Sequence, residues 1–152
     1  MSQAKHYIPE RYSNVVPYLT VSDAKAALDF YQRALGANIV MVMEEPSGRV
    51  AHAEISIGGT IIMLSDEFLE LGAVSPTRLG GRTSSLMVYV SDVDAFLANA
   101  IAQGGALERP AADQFYGDRT GGFKDPFGHS WYIATHIEDV PEEELKQRMK
   151  GE

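Results

Sequence analysis

The chain has 152 residues, 45% of them apolar, no cysteine and a formal net charge of −8. That size gives one compact domain room for a core, while scattered Lys and Arg in an acidic chain exclude a nucleic-acid face. No apolar run approaches the roughly 20 residues that cross a bilayer, and thiolate metal sites, disulfides and a Cys nucleophile are excluded outright.

Residues 1–6 lack the apolar core of a secretory signal, so the expected location is the cytoplasm. Residues 15–21 read as a strand. Ser22 and Asp23 then offer cap oxygens for a helix. Ala24, Ala27, Leu28, Tyr31 and Leu35 recur on one face of that helix, and Gly36 ends it in a left-handed conformation. Strands over 39–44, 49–57 and 60–65 are separated by Pro46-Ser47-Gly48 and Gly58-Gly59. The segment 67–83, with Gly72, Pro76, Gly80 and Gly81, reads as a long linker suited to a lid or a dimer contact.

A strand over 84–90 opens the second half, and Ser91 with Asp94 resembles a capping box. The helix that follows buries Val93, Phe96, Leu97, Ala100 and Ile101 and stops at Gly104-Gly105. Strands are expected over 106–111, 119–123 and 129–135, with Asp125-Pro126-Phe127-Gly128 as a type I turn. A last helix over 140–150 places Glu142, Glu143 and Glu144 first and Lys146, Arg148 and Lys150 last, as the helix dipole favours. Leu145 and Met149 give it an apolar stripe for docking on the body or on a second subunit.

The two halves repeat one another. Val21-Ser22-Asp23-Ala24-Lys25-Ala26-Ala27-Leu28 is echoed by Val90-Ser91-Asp92-Val93-Asp94-Ala95-Phe96-Leu97, an offset of 69 (90 − 21) that also links Gly36-Ala37 with Gly105-Ala106 and Gly59 with Gly128. A repeat of this length is half a domain, duplicated. The expected fold is α+β: two tandem βαβββ modules, residues 15–66 and 84–136 of a single domain, forming a curved mixed sheet around a cleft.

Strand alternation assigns the cleft lining. Ala51, Ala53, Ile55 and Ile57 should meet the helix, leaving His52, Glu54 and Ser56 on the open face with Val16, Tyr18 and Thr20. Their counterparts are Ser85, Met87 and Tyr89, and Met63 corresponds to Tyr132. The ligand-binding set is therefore Tyr18, His52, Glu54, Met63, Ser85, Met87, Tyr89, Tyr116, Arg119 and Tyr132, suited to a mostly apolar or planar organic molecule.

Tyr18, Tyr89, Tyr116, Phe123 and Tyr132 are stacking candidates, and Trp131, of opposite parity to Tyr132, is core. Arg119 either clamps an anion or pairs with Asp118 or Asp113. His52 and Glu54 are the catalytic candidates, as an acid–base pair. The alternatives are polar lining or a displaced metal site completed by His129 or His136. His129 itself reads as a surface or hydrogen-bonding residue.

The βαβββ duplication, the helix end Phe30-Tyr31-Gln32-Arg33-Ala34-Leu35-Gly36 and the Asp-Pro-Phe-Gly turn together resemble the vicinal oxygen chelate superfamily over residues 15–136. That superfamily includes glyoxalase I, extradiol dioxygenases, fosfomycin-modifying enzymes and bleomycin resistance proteins. Tyr116-Gly117-Asp118-Arg119 looks most like its PhnB-like branch. The resemblance implies a homodimer, and it implies metal ligands at Val16, Met63, Ser85 and Tyr132. None of these suits a divalent ion, so neither metal nor other cofactor is expected. The function expected is sequestration of a small organic ligand, as in bleomycin resistance proteins. The alternative is an enzyme of the superfamily, a lyase, isomerase or dioxygenase-like protein, using other ligands or Glu54 and His52 chemistry.

Overall fold

The structure, a computed structural model, describes residues 2–151. It is α+β, with two four-stranded mixed sheets, and the chain divides after Gly80 into two compact units. Among the described residues no helix is long and apolar enough to cross a membrane.

In the first unit β1 (Tyr18–Val21) leads into α1 (Ala24–Leu35), and β2 (Asn38–Glu44), β3 (Val50–Ile57) and β4 (Thr60–Asp66) complete the sheet. The strand order is β1-β4-β3-β2, with β1 parallel to β4 and the other pairs antiparallel. Asp23 caps α1 by accepting from Ala26 N, and Gly36 ends it at φ 65°. Asp66, at the end of β4, ties three elements together. One of its oxygens accepts from Ala24 N and the other from Val50 N, both at 2.7 Å. The buried helix face is wider than the periodicity alone suggests, because Phe30 and Ala34 join it.

Two boundaries differ from expectation for physical reasons. β1 begins at Tyr18 rather than at residue 15. Pro17 has no N–H to give a ladder, although its carbonyl accepts from Met63 N. Ala51 is exposed and Val50 is buried, the reverse of strict alternation. The pairs Met43–His52 and Glu44–Val50 skip Ala51, so a bulge flips the parity there. Ala53 and Ile55 do lie in the core.

The segment after β4 is built rather than structureless. It holds a 3-10 turn (Leu69–Leu71) and a single helical turn, α2 (Pro76–Leu79). Glu67 organises it by accepting from Ser75 N and Oγ and by pairing with Arg78 at 3.0 Å. Those donors, Arg78 foremost, hold the Glu67 carboxyl at about 2.

The second unit contains β5 (Ser85–Tyr89), α3 (Val93–Ala102), β6 (Ala106–Asp113), β7 (Asp118–Lys124), β8 (Ser130–His136) and α4 (Glu142–Met149), with sheet order β5-β8-β7-β6. The expected capping box does not form: Asp92 caps α3 by accepting from Ala95 N, and Asp94 pairs with Arg119 instead. Val93, Leu97 and Ala100 are buried, while Phe96 and Ile101 are only half-buried. Thr135 takes the place of Asp66, accepting from Val93 N at 3.0 Å. Of the apolar stripe of α4, Leu145 is half-buried and Met149 is 76% exposed. Arg148 ties the helix to its own unit, donating to Phe115 O at 2.8 Å and pairing with Glu138 at 2.7 Å.

Strand register refines the repeat. Tyr18 pairs with Met63 and Met87 with Tyr132, so the first and last strands of each unit keep the offset of 69. Glu54 pairs with Met63 while Gly122 pairs with Tyr132, so β3 and β7 are offset by 68 (122 − 54). The Asp-Pro-Phe-Gly turn carries the extra residue, and its longer span gives Asp125 a role. One Asp125 oxygen accepts from Phe127 N and His129 N, and the other from Trp131 Nε1, all at 2.9 Å. Trp131 is fully buried, as expected, and so is Phe123, which belongs to the core and not to a stacking surface.

Candidate functional site

In the first unit the sheet face opposite α1 carries a continuous polar chain. Register places Tyr18 beside Met63, Met63 beside Glu54, and Glu54 and His52 beside Met41 and Met43. Tyr18, His52 and Glu54, which alternation assigns to one face, are therefore neighbours, and Met63, which the repeat offset alone matched to Tyr132, stands between Tyr18 and Glu54. Tyr18 Oη lies 2.9 Å from His52 Nδ1, His52 Nε2 lies 2.9 Å from Glu54 Oε2, and the Tyr12 hydroxyl donates to that same oxygen at 2.6 Å.

Glu54 is only 1% exposed. Burial pushes its carboxyl up, but hydrogen bonds from His52 and Tyr12 and the Arg11 charge prevail and hold it below the usual carboxylate range. Arg11 Nη2 stands 3.2 Å from Oε1. That oxygen is buried without a hydrogen bond, so Arg11 acts on it as a charge rather than as an aligned donor. An ionised carboxylate only accepts, so His52 donates from Nε2, and in the tautomer that carries its proton there Nδ1 accepts from the Tyr18 hydroxyl. The Tyr18 oxygen is left with lone pairs to offer outward. Arg11 and Tyr12 carry no sequence signal. They precede the repeat, and the Tyr12 bond to Glu54 spans 42 residues.

Tyr18 also borders a pocket of about 370 Å³, shared with Ala51, Ser65, Phe68, Leu71 and Ala73. The bulge that exposes Ala51 and the segment anchored by Glu67 thus form its walls. Its volume lies at the small end of small-molecule sites. Arg49 lies over the Phe68 ring at 3.8 Å and fixes that wall.

On the corresponding face of the second unit, register brings Ser85, Met87, Tyr89 and Tyr132 together with Ser130 and Ala134. Arg82 reaches this face, donating to Ser130 Oγ at 2.9 Å and to the Tyr132 hydroxyl at 3.3 Å. At the far end the Tyr89 hydroxyl donates to Asp118, which lies 2.7 Å from His136 Nδ1, and His136 Nε2 lies 2.7 Å from Asp139. Hydrogen bonding to Asp118 raises the Tyr89 phenol, and Asp118 and Asp139 raise His136. Burial raises Asp118, but His136 and Tyr89 outweigh it and leave it lowered.

Tyr116 lies in the turn before β7, edge-on to Phe115, and acts on the Tyr89 phenol at a distance. Arg119 is drawn elsewhere. It pairs with Asp94 at 2.8 Å and with Asp113 at 3.0 Å, which joins β7 to α3 and β6 and leaves Asp118 to Tyr89 and His136.

A pH-dependent outcome follows from the His136 cluster. A raised imidazole stabilises the fold below about pH 6.5, and that contribution disappears as pH rises through the folded value. Thermal midpoints measured from about pH 6 to pH 9 should therefore fall more in the wild type than in His136→Gln. Parallel profiles would contradict the link.

The residues implied as metal ligands do not fit a divalent ion. Val16 and Met63 offer neither oxygen nor nitrogen, and the Tyr132 hydroxyl already faces the Arg82 cation. Among the described residues no group of three or more His, Asp or Glu side chains is placed to hold a metal.

A duplicated βαβββ chain, each copy pairing its first strand in parallel with its last, defines the class of fold. The superfamily model described as Glyoxalase/Bleomycin resistance protein/Dioxygenase matches residues 10–133, and the chain belongs to that superfamily. It is 34% identical over 139 residues to the uncharacterized protein Mb0911c of Mycobacterium bovis, covering 90% of this chain and 91% of that protein. The identity is the same to Rv0887c of Mycobacterium tuberculosis, with 90% and 82% covered. Among solved structures, TioX from Micromonospora sp. ML1 matches with a TM-score of 0.64 and 28% identity over 82% of this chain and 99% of that one. A PhnB protein from Bacillus cereus matches with a TM-score of 0.63 and 21% identity, over 81% and 99%, which is a likeness of fold.

Proposed function

We propose that this protein binds and sequesters a small, mostly apolar, planar molecule, and that Tyr18 is the hinge between its pocket and its polar anchor. The observation that carries the reading is the state of Glu54. A buried carboxylate held ionised by Tyr12, His52 and Arg11 is a weak base, but it is a firm post for orienting His52 and, through it, Tyr18. Tyr18 then presents a ring for stacking and an oxygen that accepts from a ligand N–H or O–H. The resemblance of Tyr116-Gly117-Asp118-Arg119 to the PhnB-like branch supports assigning the chain to that branch of the superfamily.

The test is a titration with 2-naphthol, a bicyclic ligand with one hydroxyl donor, against 2-methoxynaphthalene, which has none. Removing the ring in Tyr18→Ala should weaken 2-naphthol roughly tenfold. Tyr18→Phe should erase the preference for 2-naphthol over the ether while keeping affinity for the ether. Equal binding of both ligands by the wild type and both variants would refute the reading.

One observation favours a second reading. The order hydroxyl, imidazole, carboxylate in Tyr18–His52–Glu54 is that of an acid–base relay, in which His52 takes the Tyr18 proton. On that reading a bound molecule is chemically changed, and both His52→Asn and Glu54→Gln abolish the change.

A further inference from the structure

We infer that Arg82 and Arg109, gathered about Tyr132, form a subsite for the carboxylate of a small aromatic acid. Arg109, Gly122, Tyr132 and Met87 make one row across the second sheet. The glycine is the device that shapes this row. A Cβ at residue 122 would lie 2.6 Å from Tyr132 Cδ1. With no side chain there, the Tyr132 ring lies over β7, and Arg109 reaches across to place its guanidinium carbon 5.5 Å from the ring centroid. The matching row of the first unit is Met41, Glu54, Met63 and Tyr18. Glu54 and Met41 of one copy are thus replaced by a glycine, over which the Tyr132 ring lies, and a guanidinium in the other.

The second guanidinium is held from the other side. Arg82 donates to Ser130 and to the Tyr132 hydroxyl, and Glu108 accepts from Ser130 at 2.6 Å while standing 3.7 Å from Arg82. Glu108 and Ser130 together fix Arg82 at the phenol end of the ring. Arg109 has no ion pair among the described residues and keeps its fork of donors for a ligand. Exposed Met87 and Tyr89 extend the face beside it. A planar acid stacked over this face meets a fixed cation at one end of Tyr132 and an uncommitted one over the ring. A net charge of −8 repels anions in general, so retention of a carboxylate here depends on these two side chains.

The assignment rests on the reading of the chain as a small-molecule binder and names a ligand class for its second half. Its test is titration of the intact protein with benzoate and with benzamide, its neutral counterpart, followed by NMR of the Met87 methyl and the Gly122 amide. Benzoate should bind roughly tenfold more tightly. Arg109→Gln, an exposed position that leaves the fold intact, should bring the two ligands close to parity, and Arg82→Gln should do so in part. High salt should narrow the preference in the wild type. Equal affinities, or a preference that survives in Arg109→Gln, would overturn the subsite. Should benzoate fail while 2-naphthol still binds at Tyr18, only the subsite falls. Should neither bind, the binding reading falls with it.

Discussion

Trp131→Ala should cost about 3–5 kcal/mol, read as a lowered urea midpoint. Trp131 is fully buried, pairs with Leu86 and Phe123, and donates its indole N–H to Asp125 at 2.9 Å. Truncation removes the largest side chain of the second core and leaves an Asp125 oxygen without its indole donor. Against a total stability of about 5–15 kcal/mol, that loss brings the protein near its unfolding threshold. Trp131→Phe keeps most of the packing and loses the donor, so its cost should be nearer 1–3 kcal/mol. An alanine variant within about 1 kcal/mol of the wild type would show that the Asp125 turn and its indole bond do not organise this unit. The consequence reaches the site, because Ser130 and Tyr132 flank Trp131 on the same strand.

The second large effect is expected at Glu54. Glu54→Gln keeps the shape and removes the charge, which sets amide donors among the donors of Tyr12, His52 and Arg11. A loss of about 1–3 kcal/mol is expected. The pH dependence carries a sign. A carboxyl held below its ordinary value stabilises the fold above about pH 4.3, and that contribution is lost as pH falls through the folded value. The wild type should therefore lose stability on acidification more steeply than Glu54→Gln. Affinity for 2-naphthol should drop roughly tenfold in the variant, because Tyr18 loses the anchored His52 that orients it. Parallel acid profiles with unchanged affinity would show that Glu54 is neither ionised by its neighbours nor coupled to the pocket.

The sequence showed the face but not what crosses it. Alternation is enough to bring Tyr18, His52 and Glu54 to one surface, whereas Met63, in a run apolar on both faces, is placed there by the strand register. Alternation is a local signal, and strands with helix-backed faces obey it. Arg11 and Tyr12 escaped because a residue that reaches a strand 42 positions away leaves no periodicity. Alternation misplaces Ala51 because a bulge depends on the partner strand. Arg119 was legible as an ion-pairing residue, but not Asp94 as a partner, since its choice rests on where α3 packs. Arg109 owes its place to the pairing register, which puts Gly122, and not another side chain, between it and Tyr132. A gapless offset read from sequence hides that one-residue shift. Single insertions in turns leave the echo intact and change which residues share a row.

On the proposed function, the Tyr18 face holds a small planar molecule and releases it unchanged. The most direct measurement is methyl NMR of the intact protein during titration with 2-naphthol, because Met41, Met43 and Met63 stand on that face as built-in reporters. The expected result is a saturable shift of the Met63 methyl, saturation at roughly tenfold higher ligand in Tyr18→Ala, and ligand resonances that stay unchanged over hours. Methyl signals that do not respond, or new ligand signals that grow with time and vanish in Glu54→Gln, would contradict it.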